Sequence, residues 1–180
     1  MTSIISDVET WLDDIVIGLN LCPFAITPRK NQQVRFTVSQ ALTAEVLLAD
    51  LYDELSLMSK IPSVDVETSL LIVPDMLANF DDYNQFLDLV DQLLETFEWD
   101  GIFQIASFHP DYCFAETKPN STENLTNRAP YPILHILREQ TIETALDKMI
   151  SPDEIYKRNI QTMAELPAER IKTLFPYLRP

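Results

Sequence analysis

The chain has 180 residues, 46% of them apolar and 23% charged, which is the composition of one globular domain and of neither a disordered segment nor a fibre. Its formal net charge is −15, and between Phe36 and Thr117 there are 16 acidic residues against the single basic Lys60. That stretch has almost no cation with which to displace counterions from a polyanion, so nucleic acid and anionic membrane are excluded as expected partners and the acids read as a solvated surface.

Other exclusions follow from single residue types. Only Gly18 and Gly101 are glycines. A dinucleotide fingerprint or a phosphate-cradling loop needs several glycines close together, so neither is expected. The N-terminus carries Asp7, Glu9, Asp13 and Asp14 where a secretory leader would be basic. Apolar runs such as Leu70–Val73 are far too short to span a bilayer. A cytoplasmic chain with Cys22 and Cys113 as free thiols is the expectation. The sequons at Asn120 and Asn124 carry no weight in that compartment.

In chain order, Ile5, Val8, Leu12, Ile15 and Leu19 recur at helical spacing, with Ser6 and Glu9 as a capping box. Asn20, Pro23 and Pro28 then impose irregular backbone to Arg29. Val34, Phe36 and Val38 alternate with Arg35 and Thr37, the pattern of a strand with one buried face. Leu42 to Met58 reads as a helix closed before Pro62, and Leu70–Val73 as a central strand stopped by Pro74. A second helix follows Asn79, with Asp81 and Asp82 at the positive end of its dipole, and Ile102 to Phe108 makes a third strand. Residues 109–132, with four prolines, read as a long loop. Helices are expected from Pro132, near Thr141, from Ser151-Pro152-Asp153-Glu154, and after Pro167. The fold implied is one α/β domain over residues 1–180, a small mostly parallel three-stranded sheet flanked by helices. A ferredoxin-like α+β arrangement is the alternative.

Chemistry concentrates around the two histidines. His109 follows the third strand, at the carboxyl end where open α/β sheets gather ligands. His135 and Glu139 would share one face of the expected helix, with Arg138 beside them. One reading is a metal site in which His109, His135 and Glu139 hold Zn or Fe with open positions. A second is metal-free: the histidines move protons while Arg128 and Arg138 grip a carboxylate or phosphate. A third makes Cys22 a nucleophile, although its place after a helix C-terminus and its apolar flanks favour a packed thiol. Of the aromatics near the loop, Tyr131 between two prolines best suits a ligand contact.

Three segments carry a resemblance: Gly18 to Ala25 (GLNLCPFA), Ser107 to Tyr112 (SFHPDY) and Thr126 to Glu139 (TNRAPYPILHILRE). Together they are similar to a family of bacterial proteins defined only as a domain of unknown function. The resemblance implies no activity, but it singles out Asn20, Cys22, Pro23, Phe24, His109, Pro110, Tyr112, Asn127, Arg128, Pro130, Tyr131, Pro132, His135, Arg138 and Glu139. The family commonly has Ser where this chain has Ala129, and His where it has Val73, so neither of those is general. The expectation is therefore a small-molecule enzyme on an anionic metabolite. Asn20, Cys22, Asn127, Arg128, Tyr131 and Arg138 would bind the substrate, and His109, His135 and Glu139 would do acid–base or metal-assisted work. The alternative is a non-catalytic binding or assembly protein that uses the 109–132 loop.

Overall fold

The computed structural model describes residues 2–146 and 152–178. Helix α1 (Thr2–Trp11) runs straight into a π-helical turn, Leu12–Ile17. It begins upstream of the expected cap: Ser6 lies inside the helix, and its carbonyl accepts a hydrogen bond from Thr10 Oγ1. At the end of the π turn the Asp14 carbonyl crowds residue 18, where a Cβ would collide with it, hence Gly18. A short α2 (Ile26–Lys30) follows.

Strand β1 (Val34–Val38), helix α3 (Ala44–Lys60), strand β2 (Thr68–Ile72), helix α4 (Phe80–Thr96) and strand β3 (Phe103–Phe108) then alternate as the periodicity predicts. The caps are those the sequence suggests for α4: Asn79 Oδ1 accepts hydrogen bonds from the Asp81 and Asp82 N–H groups. For α3 the cap is Thr43.

The segment expected to open a helix at Pro132 is instead a strand, β4 (Ile133–Arg138). Its register pairs it antiparallel with both β2 and β3, giving a four-stranded mixed sheet in the order β1-β2-β4-β3. The physical reason lies in burial. Ile133, Leu134 and Ile136 are all fully buried, on alternating sides, because helices cover both faces of the sheet at its centre. A strand buried on both faces shows a continuous apolar run, which periodicity cannot separate from a buried helix. Strands β1, β2 and β3 do run in one direction, with β4 inserted against them. The three-stranded expectation is thus corrected to four, and the ferredoxin-like alternative, with a hairpin between two crossover units, does not have this order either.

Helices α5 (Glu139–Leu146), α6 (Pro152–Glu165) and α7 (Ala168–Leu174) complete the described chain. The capping role expected of Ser151 falls outside the described residues. Both crossovers move the same way across the sheet, so α3 and α4 cover one face, with a core that includes Leu47, Leu51, Leu55, Tyr83, Phe86, Leu71 and Leu134. The π turn, α1 and the C-terminal helices cover the other, packed on Leu70, Ile72 and Ile133. No helix among the described residues is long and apolar enough to cross a membrane.

Candidate functional site

The sheet separates the two histidines. His109 follows Phe108, whose ring packs edge-on to Trp11 on the α1 face, so the next side chain alternates to the α4 face. There the His109 ring lies 5.3 Å from the Phe80 ring and 5.2 Å from the Tyr83 ring, fully buried. The Leu77 carbonyl can only accept, so Nε2 carries the proton and donates to it at 2.9 Å, while Nδ1 accepts the Asp111 N–H at 2.9 Å. Both ring nitrogens are engaged in joining the loop after β2 to the loop after β3. His109 is not among the residues lining the cavity that holds His135, and no group of three His, Cys, Asp or Glu side chains among the described residues could hold a metal ion.

His135 projects from β4 on the opposite face, opposite Leu70 on β2 and Ala106 on β3. Its Nε2 is 2.7 Å from Thr68 Oγ1. The Thr68 hydroxyl gives its own proton to the Ile136 carbonyl at 2.6 Å, so toward the imidazole it can only accept. The tautomer follows: Nε2 bears the proton and Nδ1 bears the lone pair. Nδ1 has no partner among the described residues and is not sealed off by protein.

His135 lines a cavity of about 300 Å³. The floor is the sheet, through Leu70, Ala106, Phe108 and Leu137, and the far side is Trp11 of α1 with Cys22 and Phe24 of the following loop. Polar residues are few: Glu67, Thr68, Gln104, Arg138 and Thr141 join the imidazole and the thiol. Val34, Thr68 and Gln104 lie at or near the amino ends of β1, β2 and β3, so the cavity extends to the end of the sheet opposite His109. Burial pushes the Cys22 thiol up from its ordinary pKa, which keeps it protonated.

The remaining candidates have local partners. Asn20 adopts a left-handed conformation (φ 54°) that asparagine tolerates well, and its carbonyl accepts Arg158 Nη2. Asn127 Nδ2 donates to the Ser107 carbonyl at the end of β3. Arg128 donates through Nε to the Tyr112 carbonyl and through Nη2 to the Pro119 carbonyl, while its own carbonyl accepts Trp11 Nε1 and Tyr177 Oη. Tyr131 Oη donates to Asp7. Arg138 contributes to the wall of the cavity, but its guanidinium turns to the α3 face and donates to the Met58, Ile61 and Val66 carbonyls. Glu139 opens α5, its N–H donated to the Ile102 carbonyl, and does not share a helical face with His135. The predicted convergence therefore holds for Cys22 and His135, with Arg138 at the wall, and not for His109, Glu139 or Arg128. Thr68 and Trp11, which complete the cavity, carried no motif in the sequence. The 109–132 loop is held from within by Asn124, which is fully buried and bonded to Phe114, Thr117, Lys118 and Pro119; its sequon is sterically closed.

The imidazole of His135 has a testable electrostatic signature. Burial brings its pKa down to about 4, whereas an unfolded chain titrates near ~6.5. As pH falls between those values the unfolded chain takes up a proton that the folded chain does not. The stability tied to neutral His135 is complete above pH ~6.5 and is lost toward pH 4, with a loss of ~2 kcal/mol by pH 5. Urea unfolding at pH 7 and pH 5 should show His135→Phe losing about 2 kcal/mol less than the parent over that interval. Equal losses would mean the imidazole titrates normally.

Residues 3–173 match the model of a family described as a protein of unknown function, DUF1415, and the chain belongs to that family. No curated protein and no solved structure matches it.

Proposed function

We propose that this member of the family is a small-molecule enzyme whose site is the His135 cavity, and that its substrate is a compact, largely apolar molecule presenting an O–H or N–H group to His135 Nδ1. The observation that carries the reading is the fixed tautomer: a neutral imidazole, oriented by Thr68, with its lone pair open to an apolar hollow. A volume of about 300 Å³ lies at the lower end of small-molecule sites. In so dry a setting a ligand donor that meets Nδ1 makes a stronger hydrogen bond than it would in water.

The same lone pair lets His135 act as general base. A proton taken from the substrate leaves imidazolium and anion side by side, and their attraction offsets the burial that otherwise disfavours the charged ring. Thr68 keeps Nε2 in place throughout and is a positioning residue. An anionic substrate fits this cavity less well. The lone pair repels it, and the Nε and Nη2 donors of both Arg128 and Arg138 are engaged by backbone carbonyls.

The test uses 2-naphthol, naphthalene and 2-naphthoate as probes. 2-Naphthol should bind saturably and shift the Nδ1 resonance of His135, about tenfold more tightly than naphthalene, which lacks the donor. His135→Phe should remove that preference while leaving the fold intact. Preferred binding of 2-naphthoate, or a preference for 2-naphthol that survives His135→Phe, would overturn the proposal.

A further inference from the structure

The geometry points to a second ligand site, for an organic cation, in a cleft between the N-terminal helix, the Pro130–Tyr131 turn, and the end of α7 with the segment after it. The cleft has a volume of about 380 Å³, and its walls include Asp7, Asp14, Trp11, Tyr131, Tyr177 and Pro130. No Lys, Arg or His is among its lining residues.

Three features make it suited to a cation. Asp7 and Asp14 are two helical turns apart and fall on one face, so both carboxylates border the same hollow. The neighbouring acids Glu9 and Asp13 are neutralised by Arg29 at 3.0 and 2.8 Å, but no described cation pairs with Asp7 or Asp14. Tyr131 Oη donates to Asp7 Oδ2 at 3.0 Å and so orients that carboxylate; burial and the nearby Asp7 both push the phenol's pKa up, which keeps it a donor.

The aromatic walls decide which kind of cation. Two phenols and two prolines, with the small exposed part of Trp11, offer apolar contact and few oxygens, which suits an alkylammonium group better than a strongly hydrated metal ion. Trp11 is held by its Nε1 donation to the Arg128 carbonyl, and Tyr177 Oη donates to the same atom, so two of the three rings are anchored in advance. An anion would meet two uncompensated carboxylates. The site does not depend on the reading of His135, although the Trp11 side chain forms part of both cavities.

Choline, exchanged for sodium at constant chloride, is the probe, and 3,3-dimethylbutan-1-ol is its uncharged isostere. The chain has two tryptophans, so the Trp11 indole N–H signal is assigned by its persistence in Trp99→Phe. Choline should shift that signal saturably, about tenfold more tightly than the isostere. Asp14→Asn, which breaks no hydrogen bond among the described residues, should weaken choline severalfold without changing the Tm; Asp7→Asn should weaken it as much. A flat titration, an equal response to the isostere, or unchanged affinity in the Asp7→Asn, Asp14→Asn double variant would overturn the assignment.

Discussion

Replacing His109 by alanine is expected to lower folding stability by about 3–5 kcal/mol, a large share of what a domain of this size possesses. Truncation removes a ring packed between Phe80 and Tyr83 and leaves a hollow against the α4 core. It also removes two buried hydrogen bonds at once, because the Leu77 carbonyl loses its donor and the Asp111 N–H its acceptor. Leu77 itself sits at φ 56°, a left-handed conformation costly for a leucine, and the bond to His109 helps hold it there. Urea unfolding measures the effect. A loss below about 1 kcal/mol would mean that the ring is dispensable to the fold and would return His109 to the list of catalytic groups.

Arg138→Ala should cost about 2–4 kcal/mol, or roughly 6–12 °C in Tm. The guanidinium closes the C-terminal end of α3, with Nη2 2.8 Å from both the Met58 and Ile61 carbonyls, and reaches the following turn at the Val66 carbonyl. Cations at a helix C-terminus are favoured by the dipole as well as by the bonds themselves. The group also lies 5.7 Å from the centre of the Phe103 ring. A lysine has one nitrogen and no fork, so Arg138→Lys should restore less than half of the loss. Were Arg138 instead a substrate anchor, both variants would melt with the parent and fail only in binding, so thermal melts and probe titrations of the same samples separate the two roles.

The candidate site was partly legible before any coordinates. Cys22 and His135 both fall in the matched motifs, and both line the His135 cavity. The chemistry assigned to them was less so. The reading of His135 on a helix gave it Glu139 as a neighbour, whereas β4 gives it Thr68, a residue 67 positions away. Nothing in Thr-Ser-Leu-Leu-Ile advertises that its threonine would set a histidine's tautomer. Tyr131 stands out in the sequence through its flanking prolines and the matched motif, but neither shows that its hydroxyl meets an acid 124 positions away.

The sequence by itself determined what depends on near neighbours or on composition. These are the helix cap at Asn79, the alternation of strands with α3 and α4, the uneven placement of the acids, and the scarcity of glycine. Only the tertiary structure decided which way His109 and His135 face, since side chains alternate along a strand and a shift of one residue moves a group to the other side of the sheet. It also decided that Ile133–Arg138 is a central strand, because that depends on both faces being covered, one by helices from the middle of the chain and the other by helices from its two ends. Residues read as one catalytic cluster are thus divided by a sheet that short-range pattern could not foresee.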